Sequence, residues 1–356
     1  MPRPSVCIKV PKSQGEKTIT LATKFGLADK TLVIQREEES LCIPLVREPQ
    51  GIELATLKSQ IPSFKLYTAV FSEKQLPPET LAQSLQDKLP PDLLSKVPQA
   101  FDIIGDIVVI DIPPQLKHYQ NTIGEAILQT QKNVTTVLAK AGDISGIFRV
   151  RDYDYIAGEH KTKTIHREFG CQYNVDIAKA YFSPRLSHEH ERVAAQVQDG
   201  ETVVDLFAGV GPFAILIGKR NPEAKVYAVD LNPDAVELLK VNVRVNRVEN
   251  RVFPVLADAR EIAATKLKGT ADRVIMNLPE TALDFVDAAS NALKLQGGVV
   301  HFYGFVRLPG TIENLKQHFS ELVEKNGRKV EAFLYANSIR ETGPFESQVV
   351  LDAKIV

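Results

Sequence analysis

The sequence lacks the features that mark several large classes of protein. Its three cysteines, among 356 residues, lie far apart and form no CxxC pair, which argues against a disulfide scaffold and against a zinc site. No apolar run approaches the ~20 residues of a membrane span, and the N-terminus has no apolar core of a signal peptide. The net charge of -1 gives no bulk attraction for nucleic acid. We therefore expect a cytoplasmic protein with no membrane segment and no bound metal.

What the chain does contain is an ordinary globular balance, with 44% hydrophobic and 24% charged residues, which allows a full core. Its length predicts two or three domains, since domains commonly have ~100–200 residues. The pattern indicates a small α/β domain at residues 1–60, a polar linker around 47–70, a middle α+β domain at 70–180 and a last domain at 181–356.

The middle domain shows short strand and helix patterns. The run "AFDIIGDIVVIDI" predicts a strand pair or a bulged strand around Gly105, and "GEAILQTQKNVTTVLAK" predicts a helix passing into a strand. "PPETLAQSLQDKL" and "PPDLLSKV" predict helices with Pro at their starts, where a missing N–H costs nothing. Residues 146–182 alternate polar and apolar side chains and predict antiparallel hairpins.

The last domain alternates strand and helix patterns. Runs such as "ETVVDLF", "KVYAVDL" and "DRVIMNL" are typical of strands, and "PDAVELLKVNVRVN" is typical of a helix between them. This alternation predicts βαβ units with right-handed crossovers and a mostly parallel sheet. The final run "KVEAFLYANSIRETGPFESQVVLDAKIV" predicts an antiparallel hairpin at the sheet edge.

The segment "VVDLFAGVGPF", residues 203–213, is a candidate ligand loop. A strand ends in Asp205, and Gly209 and Gly211 then let the backbone approach a ligand closely before a helix begins. The loop lacks the third Gly of a dinucleotide-binding GxGxxG motif and the Lys of a P-loop. Taken alone, it is equally well explained as a tight turn with two glycines.

Polar residues at the ends of successive strands favour a ligand site. Asp230 ends the second strand, where it can accept from ribose hydroxyls, and Asp258 ends the third, where it can accept from an adenine amino group. Asn277 ends the fourth. Any one Asp could instead cap a helix. The series resembles class I S-adenosylmethionine-dependent methyltransferases over about residues 200–310, which implies cofactor contacts also from Tyr181, Phe207, Leu231 and Ala259.

A longer resemblance lies in front of this domain. Residues 149–193, with the series "IAGE…TIHREFGC…YFSPRLSHE", closely resemble the archaeal and eukaryotic tRNA (guanine-37 N1) methyltransferases and their wybutosine-pathway relatives. "FDIIGDIVVIDI" and "KNVTTVL" are similar to the middle domain of that family. The resemblance implies a Rossmann-like methyltransferase domain preceded by an α+β RNA-binding domain and a small N-terminal α/β domain. It also implies S-adenosylmethionine as cofactor and tRNA as partner, held at the anticodon loop and, by the first domain, at the elbow.

The chemistry of guanine N1 defines what the site needs. N1 carries a proton, so a general base must remove it, and a cation near O6 must stabilise the charge that develops there. By the resemblance, Glu189 is the expected base. Alternatives remain: the first helical turn with Ser187 as N-cap favours an acid in any case, and Glu191, His188 or His190 could be the base. 

Three arginines are the expected RNA contacts. By the resemblance, Arg149 stabilises O6, while Arg151, expected on the same strand face, contacts phosphate. A solvated hairpin face is the alternative explanation for both. Arg185 could hold the tRNA backbone or Glu189. Tyr181 could equally be an ordinary buried strand residue.

Asn277 is expected to orient the guanine edge. Methyltransferases acting on amino groups often carry Asn-Pro-Pro-aromatic at the end of this strand, where this chain has Asn277-Leu278-Pro279-Glu280. The resemblance implies a site adapted to a ring N–H. Two other readings are a wybutosine-pathway enzyme that transfers an aminocarboxypropyl group or methylates the tricyclic base, and a non-catalytic tRNA-binding protein. We expect a monomer.

Overall fold

The structure is a computed structural model of the full chain, and it describes residues 2–73, 80–142, 146 and 148–356. Contacts between Cα atoms divide the chain into two compact units, Met1–Glu79 and Thr80–Val356. Within the described ranges, no helix is both long and apolar enough to cross a membrane.

The first unit is an antiparallel sheet with two helices. Its elements within residues 2–73 are β1 (Arg3–Pro11), α1 (Gly15–Lys24), β2 (Gln35–Arg36), β3 (Ser40–Leu45), α2 (Gly51–Gln60) and β4 (Lys65–Phe71). The strand order is β2-β3-β1-β4. Side chains of alternate β1 residues, such as Ile8 and Val10, are buried with Ile43 and Leu45 of β3, as the two-residue repeat of a strand requires.

The predicted linker at 47–70 is wrong, because α2 and β4 occupy it. β4 pairs antiparallel with β1, so the first unit runs to Glu79 and not to residue 60. The segment is polar for a physical reason: within α2 only Leu57 is buried, and β4 is an edge strand with mostly exposed side chains. A capping box of Gln50 and Glu53 starts the helix.

The second unit begins with a four-stranded sheet of order β5-β6-β7-β8. Its elements are α3 (Leu81–Leu85), α4 (Pro91–Leu94), β5 (Asp102–Ile104), β6 (Ile107–Ile110), α5 (Gln120–Thr130), β7 (Thr136–Lys140) and β8 (Tyr153–Gly158). The strand pair around Gly105 and the helix passing into a strand are confirmed. Pro91 opens α4 as predicted, whereas Pro77 and Pro78 lie outside the described residues.

The remainder of the second unit alternates helices and strands. Its elements are β9 (Lys163–Glu168), β10 (Cys171–Asp176), α6 (Ser187–Gln196), β11 (Thr202–Asp205), α7 (Pro212–Arg220), β12 (Lys225–Asp230), α8 (Pro233–Asn246), β13 (Val252–Leu256), α9 (Ala259–Ala264), β14 (Arg273–Met276), α10 (Val286–Ala292), β15 (Gly298–Arg307), α11 (Ile312–Lys325), β16 (Val330–Gly343) and β17 (Glu346–Ile355).

Seven of these strands form one sheet of order β13-β12-β11-β14-β15-β17-β16. β11 to β15 pair in parallel, while β15, β17 and β16 pair antiparallel. The predicted Rossmann-like fold and the C-terminal edge hairpin are therefore confirmed. The reversal between β11 and β14 places a crevice at the carboxyl ends of the strands, where open α/β sheets bind ligands.

The expected boundary at residue 180 does not separate two compact units. β9 and β10 form the predicted hairpin, but Asn242 and Asn246 of α8 hydrogen-bond its backbone at Asn174 and Gln172. One hydrophobic core includes side chains from β5 and β7 as well as from the seven-stranded sheet. The sequence pattern changes near residue 186 because the architecture changes there. The hydrophobic core nevertheless contains side chains from both sides of this point.

Candidate active site

A cavity of about 740 Å³ lies at the carboxyl ends of the parallel strands. Asp230 is the last residue of β12, Asp258 follows β13, and Asn277 directly follows β14. Parallel neighbours bring these ends to one edge of the sheet. The cavity is lined by most of the residues that the sequence predicts to bind the cofactor: Tyr181, Phe207, Gly209, Asp230, Leu231, Asp258, Ala259 and Asn277.

The loop after β11 is shaped by its two glycines. Gly209 has φ 54° and lines the cavity, and its N–H donates to Asp230 Oδ2 at 2.6 Å. Gly211 has φ 93° at the N-cap of α7, and a Cβ there would lie 2.3 Å from Leu239 Cδ1. Side chains are disfavoured at both positions, by the left-handed backbone and at Gly211 also by space. Gly211 supports the loop from outside the cavity lining.

Asp205 lies below this loop and is not among the residues that line the cavity. Its side chain is 1% exposed, and its Oδ1 accepts from Phe207 N–H at 3.3 Å. Burial, reinforced by the charge of Asp230, raises the pKa of Asp205 to about 7. Oδ2 is buried without a hydrogen-bond partner among the described residues.

The carboxylate of Asp230 ties two parts of the site together. Besides the Gly209 N–H, it accepts from Asn232 N–H at 2.8 Å, and burial raises its pKa. Each carboxylate oxygen has a second lone pair, which leaves room for ligand hydroxyls. Asp258 does cap a helix: its Oδ1 accepts from the N–H groups of Arg260 and Glu261 at 2.9 and 3.1 Å. Its place in the cavity wall makes the cap and a ligand contact compatible.

These residues fit an adenosine-bearing cofactor such as S-adenosylmethionine. The glycine loop admits close approach, and Asp230 offers acceptors at a strand end. Phe207 packs edge-on against Phe285, with ring centroids 5.0 Å apart, and both rings line the cavity beside Leu231. Apolar walls with a few convergent polar groups are typical of cofactor sites.

Asn277 brings a free acceptor to the cavity. Its Oδ1 is buried and has no hydrogen-bond partner among the described residues. Buried polar atoms are nearly always satisfied, so a free one in a cavity wall indicates a ligand donor. The following residues, Leu278, Pro279 and Glu280, also line the cavity.

Arg149 lies in a turn and not on a strand, since β8 begins only at Tyr153. Its φ is 56°, and its Nη1 and Nη2 donate to Glu280 Oε2 and Oε1 at 2.5 and 2.8 Å. Its side chain is only 18% exposed. The expected strand face shared with Arg151 is therefore wrong, as is a solvated hairpin face for Arg149. Both arginines line the cavity.

Arg185 and Tyr181 also lie in the cavity wall. Arg185 Nε donates to Asp102 Oδ1 at 2.5 Å, which joins the turn before α6 to β5, so within the protein it does not hold Glu189. Tyr181 is 41% exposed and lies outside the strands, which contradicts a buried strand position. The guanidinium carbon of Arg149 lies 5.8 Å from the centroid of the Tyr181 ring.

The expected base, Glu189, is the one predicted catalytic residue that does not line the cavity. It is 7% exposed, and its oxygens accept from Arg192 Nε at 3.1 Å, Arg192 Nη2 at 2.9 Å and Tyr303 O–H at 2.9 Å. Arg192 also donates to Asp352, which in turn bonds His301 at 2.7 Å. Glu189 thus belongs to a buried charge network behind the cavity.

The expected N-cap at Ser187 is wrong, although Glu189 does lie in the first turn of α6, where an acid favours the helix dipole. Ser187 already has helical backbone angles, the N-cap is Leu186, and no side chain caps the helix. The rival bases are placed differently from one another. Glu191 pairs with Arg220 at 2.6 Å, and His188 is exposed and outside the cavity lining.

His190 touches the cavity but is engaged elsewhere. It is 1% exposed, and its Nδ1 lies 2.7 Å from Glu168 Oε1. Burial disfavours the charged form of Glu168, but the hydrogen bond with His190 and the nearby imidazole of His166 outweigh burial and lower the pKa of Glu168 to about 2. His190 therefore already has a buried carboxylate partner within the fold.

The C-terminal hairpin contributes three side chains to the cavity wall, which was not predicted from the sequence. Arg340, Thr342 and Gln348 line the cavity, and Arg340 Nε donates to Gln348 Oε1 at 2.9 Å. Gln348 is 1% exposed. The signal was present, because a Gln inside the apolar run of β17 must find a buried partner.

Comparison with known proteins assigns the family. The model of the TRM5/TYW2 methyltransferase domain matches residues 164–331, that of the TYW2 N-terminal domain matches 81–162, and that of the tRNA methyltransferase 5 N-terminal domain matches 7–53. The middle and last matches meet near residue 163, which agrees with the packing of the β9–β10 hairpin on α8.

Relatives and solved structures agree with these matches. The tRNA (guanine(37)-N(1))-methyltransferase Trm5b of Pyrococcus abyssi is 38% identical over 351 residues, covering 99% of both chains. The complex structure of aTrm5 and tRNALeu has a TM-score of 0.77 at 32% identity and covers 98% of this chain and 99% of that one. Methanocaldococcus jannaschii TYW2 in complex with AdoMet has a TM-score of 0.56 at 30% identity, covering 72% of this chain and 99% of that one.

The matches cover nearly the whole chain, and the site geometry fits them. The Rossmann-like sheet, its glycine loop and its polar strand ends lie inside the matched methyltransferase domain. The chain therefore belongs to the TRM5/TYW2 methyltransferase family.

Proposed function

We propose that this chain transfers a methyl group from S-adenosylmethionine to N1 of guanine-37 in the anticodon loop of tRNA. The observation that carries the proposal is that one cavity contains both the Arg149 guanidinium, fixed by Glu280, and the unpartnered amide oxygen of Asn277. Arg149 can donate to guanine O6, and the unpartnered Asn277 Oδ1 can accept from the N–H groups of the same edge. The activity named for the P. abyssi relative supports the choice of atom.

The residues of the chain divide the chemistry between them. S-adenosylmethionine, when bound, supplies an electrophilic methyl group. Residues of the strand ends and the glycine loop, above all Asp230 and Gly209, would hold it. Arg149 stabilises the negative charge that develops on O6 when N1 loses its proton, and Asn277 orients the base. A cavity closed on one side by apolar rings strengthens each of these charge contacts.

We propose Glu189 as the base that removes the N1 proton. Its carboxylate faces Arg192 and Tyr303, so it must exchange at least one of these donors to reach the cavity. The neighbouring residues Leu186 and His190 already line the cavity, so α6 borders the site. Catalytic hydrogen bonds often form only in the substrate complex, so we infer that this exchange of donors accompanies entry of the RNA base.

The target base must leave its stack to enter this cavity. Guanine-37 lies in a single-stranded loop, where the cost of extrusion is a few kcal/mol. Arg149, Arg151 and Arg185 are the proposed contacts to the nucleotide and its phosphates. We further propose that the first unit holds the tRNA elbow, and that the protein acts as a monomer in the cytoplasm. The solved complex of the relative aTrm5 with tRNALeu supports tRNA as the partner.

The sister activity is the second candidate. TYW2 of M. jannaschii covers 72% of this chain, whereas the P. abyssi N1-methyltransferase covers 99% and includes the first unit. That difference in coverage, together with the free amide oxygen of Asn277, favours N1 methylation over aminocarboxypropyl transfer.

The test uses a tRNA transcript with guanine-37 and S-adenosylmethionine. We expect the mass of one methyl group to be added to a single guanosine, and reverse transcription to stop at position 37, since N1 lies on the pairing edge. A transcript with adenine-37 is the control and should stay unmodified. A larger mass increase would indicate aminocarboxypropyl transfer, and no increase would indicate a binding protein.

A further inference from the structure

The guanidinium of Arg149 is held on two sides. Its terminal nitrogens make a two-point pair with Glu280 at 2.5 and 2.8 Å, across 131 positions of the sequence. The ring of Tyr181 lies on another side, 5.8 Å from the guanidinium carbon. The backbone of Arg149 also adopts φ 56°, a conformation that costs energy in a residue other than glycine and persists only where the surroundings enforce it.

The geometry of the pair leaves part of the guanidinium free. A guanidinium has five N–H groups, and Glu280 takes one from each terminal nitrogen. The other N–H groups of Arg149 have no partner in the part of the chain that the structure describes. The Arg149 side chain is 18% exposed and that of Glu280 52%, so the arginine lies deeper and the carboxylate nearer to solvent. Both residues line the cavity.

Glu280 also occupies an informative position in the chain. It follows Asn277-Leu278-Pro279, where methyltransferases acting on amino groups often have an aromatic residue that stacks on the target. A carboxylate cannot stack in that way, but it can fix a cation. The chain therefore has an anion where a stacking ring would otherwise contact the base.

We propose that Glu280 is a positioning residue for methyl transfer. Its carboxylate holds the Arg149 guanidinium in place before the RNA arrives, so that the remaining N–H groups are set to donate to guanine O6. This inference rests on the proposed role of Arg149. The benefit is preorganisation. Without Glu280, the long Arg149 side chain would lose its rotational freedom only when negative charge develops on guanine O6, and this loss would add to the barrier. Glu280 acts through Arg149 and needs no contact with the reacting atoms.

The test is a double-mutant cycle under single-turnover conditions. Glu280→Gln keeps the shape but weakens the two-point pair, and we expect the methyl-transfer rate to fall roughly tenfold, which corresponds to about 1.4 kcal/mol. Half-saturation for S-adenosylmethionine should stay unchanged. In an Arg149→Ala background, the same substitution should cause no further loss. Glu280→Asp, which keeps the charge, should recover part of the rate.

A control for the same chemical change comes from α11. Glu313 pairs with Lys316 at 2.7 Å and neither residue lines the cavity, so Glu313→Gln should leave the single-turnover rate at the wild-type value. The inference is overturned if Glu280→Gln and Arg149→Ala reduce the rate additively, or if Glu280→Gln is as fast as wild type while Arg149→Ala is slow. If Arg149→Ala itself is as fast as wild type, the role of Arg149 fails, and the inference fails with it.

Discussion

Replacing Asp352 by asparagine is expected to destabilise the fold and to weaken the attachment of α6 to the sheet through Arg192. The carboxylate is 1% exposed and bonds Arg192 Nη1 at 2.5 Å and His301 Nδ1 at 2.7 Å. Asparagine keeps the volume but removes the charge that balances Arg192. Breaking a buried ion pair from one side costs ~3–5 kcal/mol. Arg192 is 20% exposed and keeps its ion pair with Glu189. We therefore expect Asp352→Asn to lower the free energy of unfolding by about 2–4 kcal/mol, somewhat less than for a fully buried pair.

The contribution of Asp352 and His301 to the free energy of unfolding depends on pH. Burial opposes the charged form of Asp352, but hydrogen bonds from His301 and Arg192 outweigh burial and hold its pKa well below the usual range. A depressed carboxyl pKa stabilises the fold above the unfolded value of ~4, and this contribution is lost as the pH falls further. Burial also lowers the pKa of His301, so the unfolded chain gains a proton first and stability declines as the pH falls through ~6.5.

Urea denaturation of Asp352→Asn and wild type between pH 3 and pH 8 measures both effects. The loss of stability in the variant should keep most of its size from pH 8 down to about pH 5 and shrink as the pH falls through about 4. Asp111→Asn is the control, since Asp111 pairs with Lys140 at 3.4 Å and its side chain is 75% exposed; it should change stability by under ~0.5 kcal/mol. Equal losses for the two variants at pH 7 would refute the claim that the buried network stabilises this region.

Three further outcomes test the rest of the site. Asp230→Ala should weaken S-adenosylmethionine binding in calorimetry from a few-fold to about a hundredfold, because a charged acceptor is worth ~1.5–3 kcal/mol; unchanged affinity would contradict its ligand role. Gly211→Ala should cost about 2–4 kcal/mol in thermal unfolding, since the added Cβ meets Leu239 Cδ1 at 2.3 Å and φ is 93°; a loss under ~1 kcal/mol would argue against strain. Removal of residues 1–79 should weaken tRNA affinity and spare cofactor binding, and loss of cofactor binding would contradict the division of labour.

Much of the site could be predicted from the sequence, because one geometric rule places it. The carboxyl ends of parallel strands meet at one edge, so Asp230, Asp258 and Asn277 were expected together, and all three line the cavity. The glycine loop followed from the same rule. The helix α8 was predicted with the bounds that the structure has, since its apolar period and its start at Pro233 are strong local signals.

What could not be predicted depends on contacts between distant residues. The pair of Arg149 and Glu280 joins residues 131 positions apart, and nothing local in either segment announces it. The direction of the Glu189 side chain is set by Tyr303 and Arg192 together, and Tyr303 lies 114 positions away. The boundary at residue 60 was wrong because an edge strand with exposed side chains, β4, has the composition of a linker.

The most direct test of the account is the pH dependence of methyl transfer by Glu189→Gln. Glutamine keeps acceptor and shape toward Arg192 and Tyr303 but cannot take the N1 proton. We expect cofactor and tRNA affinity to stay near wild type, and the single-turnover rate to fall by roughly 10²–10⁴. We expect the wild-type rate to rise with pH and the rate of Glu189→Gln to lack this rise, while Arg149→Ala should keep the rise at a lower rate. Methyl transfer by Glu189→Gln at the wild-type rate would show that Glu189 is only a member of the buried network, and that another group removes the proton.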